Sequence, residues 1–483
     1  MKSLTFPRIN TIKIITQPVF LIPVLLLFGY ILGKSFAYPN PKFWLIVFAG
    51  ILAVIIFKYP QAGIWTIFIS IFLFDWLNKT FFIVPRQITW LKDVAILLLF
   101  LRTVPVVIRR HKLVRTPIDI PVLLFILIGI ISTFINHSSP IIAFMGFRKA
   151  LKYILLFYII VNAGFDEQFL KKIVKAFIVV GFIQVFFAVS EYLLWTPSLL
   201  NLGAAMNKWD FITGTFPRGG SGVLSLYLIS IMCFLIAYLI YGGNKKRKTL
   251  FYLFLLFIPL PFAMSRAAFI FLPFVIVFML LKNIGRHFII RFSYFILFSL
   301  IFFGIVKITP FLTGYDIMAY LTNPQRMIQM QNKYSDINPG RISSIQIICN
   351  ELLNKPYGSI LGVGPGNWSE SYFGSYTGSI YQQFSLDFSG INQIASTLSE
   401  WGILGLIVLF LIILQIYRMN SILFTISNDK FWRIISYGFS GIIFLYVMAT
   451  LYVPIFYSDA GAFFFYSLAG SICIMKSNQR KKI

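Results

Sequence analysis

NPGRISSIQIICNELLNKPYGSILGVGPGNW at residues 338–368 and, after a polar run rich in aromatic residues, INQIASTLSEWGILG at residues 391–405 break an otherwise near-continuous succession of apolar spans. This is the only long piece of the chain that can stand outside a membrane. Asn338 is placed to cap a helix whose first position is Pro339, where a missing N–H is harmless. Ile342, Ile345, Cys349 and Leu352 recur at helical spacing, and Lys355-Pro356 ends the run. Gly358, Gly362, Gly364 and Gly366 surround Pro365, so the backbone must turn where a side chain would obstruct it. A loop continues to Gly390. Ile391-Asn392 then lead into a new apolar span, in which Gly402 and Gly405 lie one turn apart and allow close helix packing.

The rest of the chain reads as membrane helices. Its 483 residues are 58% hydrophobic and 12% charged, with a mean hydropathy of +0.83, whereas soluble domains carry about 25% charge. A water-soluble fold is excluded, and an all-α polytopic membrane protein is expected. Apolar spans fall near 17–33, 43–57, 62–77, 93–108, 119–135, 149–163, 173–194, 221–241, 249–264, 266–282, 288–307, 397–417, 432–453 and 457–475. This predicts about 12–14 transmembrane helices. The chain divides into a membrane domain over 1–307 with helices 1–11, a large external loop containing helices over 308–396, and helices 12–14 over 397–483.

The net charge of +27 is no sign of a nucleic-acid partner, because most Lys and Arg cluster in short loops between spans, where they fix orientation. With both termini in the cytoplasm, the inner loops hold Arg109-Arg110-His111-Lys112, Lys171-Lys172, Lys245-Lys246-Arg247-Lys248, Arg286 and Arg480-Lys481-Lys482. The outer loops are far poorer in such residues. Met1 to Lys13 leads into a span without a small-residue cleavage site, so no cleavable signal is expected. Cys233, Cys349 and Cys473 stand singly, which predicts neither a disulfide framework nor a metal cluster.

Four outer segments carry charge. Asn78 to Lys92, with Lys79 and Arg86, reads as an interfacial loop. Asn136 to Lys152 holds His137 and then Arg148, Lys149 and Lys152 at the mouth of a helix, where snorkelling is favoured over contact with lipid phosphate. Trp195 to Gly220 ends in GTFPRGGSG, which holds Arg218 between Pro217 and Gly219 on a backbone that a ligand can approach closely. Met264-Ser265-Arg266-Ala267 is almost no loop at all. An arginine in such a hairpin is expensive unless it reaches water or an anion.

A helix led by arginine, then GVGPGN, then Asn-Gln followed by E-x-G-x-x-G at the mouth of a membrane helix resembles the O-antigen ligase and O-antigen polymerase superfamily of bacterial surface-polysaccharide enzymes. Ser265-Arg266-Ala267-Ala268 looks like the superfamily's second arginine motif. The resemblance covers 338–405 and, less sharply, the chain from Gly214 onward; the first 200 residues match only as membrane helices. It implies a GT-C-like glycosyltransferase in the bacterial cytoplasmic membrane, with an outward-facing site that moves a glycan from a polyprenyl-diphosphate carrier to a hydroxyl, with inversion. As the anomeric bond breaks, negative charge grows on the diphosphate, and guanidinium groups can hold it with paired hydrogen bonds near a low-dielectric boundary. Arg266 and Arg341 are the first candidates for that work and Arg218 the next. Glu400 joins them as a catalytic candidate, and Gly364, Gly366, Asn367, Trp368 and Asn392 as substrate-binding ones. The outer loops show no D-x-D and no His/Asp cluster, so metal-independent transfer with no cofactor is expected. The implied partners are the lipid-linked glycan, the bilayer, a chain-length regulator and a flippase. Trp368, Tyr372, Phe373, Tyr376 and Tyr381 could stack on sugars or anchor at the interface.

The general base is where the sequence departs from the pattern. Ligases of this superfamily have a histidine two residues before the position of Gln393, and Ile391 stands there instead. Glu370, Asp387 and Glu400 are the carboxylates available to replace it. Without the histidine, a polymerase joining repeat units of O-antigen, capsule or exopolysaccharide is favoured over a ligase passing finished glycan to a lipid or protein. A transporter or flippase for the lipid-linked sugar is the reading from another class, against which stands the lack of an inverted repeat of broken helices. The charge pattern predicts that residues 308–396 lie outside the cytoplasm. Cysteine-accessibility labelling of Ser375→Cys should succeed from the outer side, and labelling only from the cytoplasmic side would overturn the topology.

Overall fold

The computed structural model describes residues 29–30, 33, 41–81, 90–110, 113–195, 212–217, 220–242, 246–263, 266–282, 288–313, 323, 325, 340–368, 377–384 and 392–480. All regular structure among them is helical. In chain order the helices are α1 (Pro41–Lys58), α2 (Pro60–Ile69), α3 (Asp75–Phe81), α4 (Leu91–Arg110), α5 (Asp119–Ile135), α6 (Pro140–Asn162), α7 (Glu167–Ser190), α8 (Ser221–Tyr241) and α9 (Lys246–Phe257). They continue with α10 (Pro259–Phe262), α11 (Arg266–Leu281), α12 (Phe288–Thr313), α13 (Arg341–Leu353), α14 (Gly358–Leu361), α15 (Ser379–Phe384), α16 (Gln393–Ile426), α17 (Lys430–Ala449) and α18 (Asp459–Arg480). π-Helical turns at Ser70–Phe74 and Glu191–Trp195 follow α2 and α7.

Six helical stretches among the described residues are long and apolar enough to cross a bilayer: Pro60–Lys79, Glu167–Leu193, Ser221–Tyr241, Gln393–Ile426, Lys430–Ala449 and Asp459–Gln479. Asp119–Ile135, Ala267–Leu281 and Ile296–Phe311 are shorter apolar helices. Ile120, Phe134, Phe144, Phe186 and Leu300 point outward. Such apolar exteriors suit lipid, where a helix satisfies its own backbone polar groups. The chain is a polytopic membrane protein. The span predicted over 17–33 lies almost wholly outside the described residues; those over 119–135 and 221–241 match α5 and α8 residue for residue.

The chain forms two compact units, residues 1–70 with 86–112 and residues 71–85 with 113–483. In the first, α1, α2 and α4 pack on one another. Gly63 of α2 makes that approach possible, since a Cβ there would meet Leu99 of α4 at 2.7 Å. In the second, α8, α16, α17 and α18 form the buried middle, with α5 and α6 against α16 and α18, and α11 against α8 and α17. Its core is aromatic. Phe177 meets Phe463 and Phe464 at ring distances of 5.4 and 4.9 Å, and Tyr227 meets Phe216 and Phe464 at 5.5 and 5.3 Å. The Tyr227 hydroxyl donates to the Phe177 carbonyl at 2.8 Å, so the one polar tip in this cluster is satisfied.

Alternation of the helices gathers the helix ends of the second unit at two poles. At one, Lys171 bridges Glu167 (2.9 Å) and Asp429 (2.6 Å), and Trp432 Nε1 donates to Glu167. At the other pole sit the start of α16, the turn 450–458, the end of α5, the starts of α6, α8 and α11, and residues 340–368. The last of these do not form a separate body. Ile348, Leu352, Val363, Trp368 and Ile380 close a small core on Ala395 of α16.

Two expectations from the sequence need correction here. α13 starts at Arg341 behind an extended Gly340, because Ser344 binds the Gly340 carbonyl twice, through its N–H (2.9 Å) and its hydroxyl (2.7 Å). Asn338 and Pro339, expected to cap it, lie outside the described residues. Gly402 is not a helix-packing glycine within a continuous helix; its φ of +65° breaks α16. A Cβ at Gly402 would lie 2.3 Å from the Ile360 carbonyl oxygen, and one at Gly362, φ +72°, 2.5 Å from the Glu400 carbonyl carbon. Gly402→Ala and Gly362→Ala should each cost about 1–3 kcal/mol in backbone strain alone, while Gly304→Ala, with nothing within 4 Å, should be near neutral. Thermal unfolding in detergent measures all three, and a Gly402→Ala protein as stable as the Gly304→Ala one would refute the crossing.

Candidate functional site

The site is built on that backbone crossing. The break at Gly402 leaves two carbonyls of α16 without helical donors. Val363 N–H donates to the Ser399 carbonyl at 2.9 Å and Gly364 N–H to the Glu400 carbonyl at 3.1 Å. On its other side the loop is held by the end of α5, where the Ser132 hydroxyl and the amide of the C-cap residue Asn136 donate to the Gly362 carbonyl at 3.3 and 3.1 Å. Helix α6 closes over Pro365-Gly366, where a Cβ on Gly146 would meet the Gly366 nitrogen at 2.2 Å. Asn367 donates to the Val363 carbonyl at 2.6 Å and to the Ser138 hydroxyl. The glycines of GVGPGN are thus used for close backbone approach, and the Gly364 N–H is consumed within the protein.

The start of α16 is equally bound. Asn392 caps it, accepting from Ala395 N–H at 2.7 Å, while its own Nδ2 is buried without a hydrogen-bond partner. Gln393 and Ile394 donate their N–H groups to the Thr450 carbonyl, and Gln393 Oε1 accepts from Phe456 N–H at 3.0 Å. Asn392, Gln393, Ser396, Thr397, Ser399 and Glu400 are all buried, an internal polar row running down from the cap. The Tyr457 hydroxyl lies by this row, beside Thr397 and Gln393. Burial, and then the Glu400 carboxylate, push its phenol up, so it stays protonated at any working pH.

Arg341 is fixed rather than extended toward lipid. Its Nε donates to the Tyr452 carbonyl at 2.9 Å, and its guanidinium lies 4.1 Å from the centre of the Tyr452 ring. Tyr452 meets the start of α8, where a Cβ on Gly222 would come within 3.0 Å of it, and meets Phe271 of α11 at a ring distance of 6.1 Å. Phe271 stands five residues into the helix that Arg266 opens. One tyrosine therefore ties together Arg341, the start of α8 that follows Arg218, and the start of α11.

The segment before Arg218 is clamped by charge. Lys79 pairs with Glu191 and also binds Thr213 and the Gly214 carbonyl, the last at 2.8 Å; both side chains are below a tenth exposed. The second Glu191 oxygen accepts from Thr213 N–H at 2.9 Å and Gly214 N–H at 2.7 Å. Gln184 adds a further bond to Thr215 N–H at 2.8 Å. Reading Asn78 to Lys92 as an ordinary interfacial loop missed Lys79. The signal was its partner, since a carboxylate inside an apolar span demands a cation.

Of the residues singled out in the sequence, Gly364, Gly366, Asn367, Trp368, Asn392 and Glu400 are brought together and all are buried. Trp368 has 0% exposure, so its ring faces the small core rather than a sugar. Arg341 joins the same pole through Tyr452. The backbone of Arg266 starts α11; its side chain, and Arg218, Glu370, Tyr372, Phe373, Tyr376, Asp387 and Ile391, lie outside the described residues. Among the described residues no group of His, Cys, Asp and Glu is arranged to hold a metal ion. No protein-family model and no curated protein matches the chain.

The buried ion pair yields a double-mutant test. Lys79→Met leaves Glu191 uncompensated and should cost about 3–5 kcal/mol, as should the loss of the charge at Glu191 in Glu191→Gln. The double variant should lose clearly less than the sum, measured by unfolding in detergent. Additive losses would show that the two charges do not depend on one another.

Proposed function

We propose that the chain is a metal-independent glycosyltransferase of GT-C type that polymerises polyprenyl-diphosphate-linked oligosaccharide repeat units at the outer face of a bacterial cytoplasmic membrane. The observation that supports this is the seating of Arg341 on Tyr452, at the pole to which Arg266 belongs by helix alternation and by the Phe271–Tyr452 contact. This contact supports the reading that the motifs of Arg266 and Arg341, far apart in sequence, share one mouth. The distribution of Lys and Arg supports the reading of that pole as the outer one.

In the proposed reaction an acceptor sugar hydroxyl oxygen bonds to the anomeric carbon of the donor. The bond from that carbon to the diphosphate oxygen breaks, and its electron pair leaves with the diphosphate. Arg341, preset in orientation by the Tyr452 ring and carbonyl, would meet the growing charge without reorganising. The hydroxyl proton goes either to a carboxylate, Glu400 or Asp387, or to the departing phosphate. Glu400 is only 2% exposed, and its backbone carbonyl also anchors the GVGPGN loop by accepting from Gly364 N–H.

Deleting the gene separates the readings. Loss of a polymerase leaves single repeat units on the surface lipid. Loss of a ligase leaves none, with long polymer on the carrier, and loss of a flippase strands units in the cytoplasm. In the deletion strain, Arg341→Gln should lower polymer yield about a hundredfold while the protein still inserts, and Arg341→Lys should keep part of the activity, since lysine lacks the bidentate fork. Normal polymer length with Arg341→Gln would remove this residue from the reaction.

A further inference from the structure

We propose that Lys149 is a further anion-binding residue of the same mouth, receiving a phosphate of the lipid-linked diphosphate; this rests on the glycosyltransferase reading above. Placed near the start of α6 beside Arg148 and Lys152, it looks in sequence like one of three snorkelling cations. The packing of α6 says otherwise. Gly146, Lys149, Lys152 and Tyr153 recur at helical spacing along one face. Gly146 abuts the Gly366 backbone, Lys152 Nζ bonds Asp459 Oδ1 at 2.5 Å, and the Tyr153 hydroxyl donates to the same oxygen at 2.7 Å. Lys149 stands between these contacts, half-buried, with its ammonium 5.6 Å from the centre of the Tyr457 ring. It is turned toward protein, so a lipid headgroup beside the helix does not explain it.

Its charge is also not balanced where its neighbour's is. Lys152 has Asp459; among the described residues the recorded partner of Lys149 is the Tyr457 ring face alone. A π face orients an ammonium without consuming its hydrogen-bond donors. Tyr452 and Tyr457 belong to one turn between α17 and α18, and each carries a cation on its ring, Arg341 on the first and Lys149 on the second. The arrangement supplies one guanidinium with a planar fork and one ammonium acting as a point charge. That pairing suits a diphosphate, whose two phosphorus centres present separate sets of oxygens.

The test uses the full chain in phosphatidylcholine nanodiscs with radiolabelled farnesyl diphosphate as the probe. Lys149→Met keeps the apolar stem and removes the charge; it should weaken binding about tenfold or more, the loss expected for one charge-assisted hydrogen bond. Lys149→Arg should restore most of it, and Lys175→Gln, exposed on α7, should leave it unchanged. Equal binding by wild type and Lys149→Met overturns the proposal while leaving the function intact. If phosphatidylglycerol in the discs displaces the probe as well as unlabelled farnesyl diphosphate does, Lys149 is a phospholipid contact and the proposal fails. Absence of farnesyl diphosphate binding by the wild type sinks the glycosyltransferase reading itself. Should Lys149→Met not insert, Lys149→Gln and the arginine variant carry the comparison.

Discussion

Backbone polar groups inside a bilayer have no water to fall back on, and a helix that breaks there must find partners for what it exposes. α16 breaks at Gly402, and the carbonyls of Ser399 and Glu400 are met by the N–H groups of Val363 and Gly364. The loop that supplies them would be equally stranded alone; its Gly362 carbonyl is taken by Ser132 of α5 and by Asn136, which caps that helix. Irregular backbone is tolerated on both strands of this crossing only because each completes the other. The polar row below Asn392, the seat of Trp368 and the approach of α6 all follow from where the crossing fixes residues 362–368.

Charge at this pole is disposed in two ways. Lys79 with Glu191, and Lys152 with Asp459, are neutralised within the protein and hold segments in place. Arg341 and Lys149 rest on aromatic rings, 4.1 and 5.6 Å from the ring centres of Tyr452 and Tyr457. A buried ion pair gains little over an apolar contact of the same size but punishes the loss of either member. Such pairs therefore suit scaffolding.

The helices were legible because apolar runs of membrane length leave little choice; α5 and α8 begin and end where hydropathy changes. The glycine loop and the start of α16 were legible as a unit, since turn glycines and a cap residue have local causes. What could not be read is what depends on distant partners. Gly402 and Gly405 have the spacing of helix packing, and only the presence of Ile360 and Gly362 across from Gly402 reveals the break. Lys149 and Lys152 look alike in sequence until Asp459, far along the chain, claims one of them. Tyr452 carries no motif at all, yet it is the contact through which Arg341 meets α8 and α11.

The pairing of Lys79 with Glu191 also has an order in time. The two residues are 112 positions apart, so during synthesis the lysine emerges with its helix well before the carboxylate exists. An ammonium without its counter-charge is costly inside a bilayer, so the pair can form only once Glu191 has been made. Arrival of Glu191 at the end of α7 changes that, and the backbone of Thr213 and Gly214 closes over the pair as the next segment follows. Assembly of the mouth is thereby coupled to the completion of α7: the chain cannot present the segment before Arg218 in its final place until an earlier and a later helix have found each other.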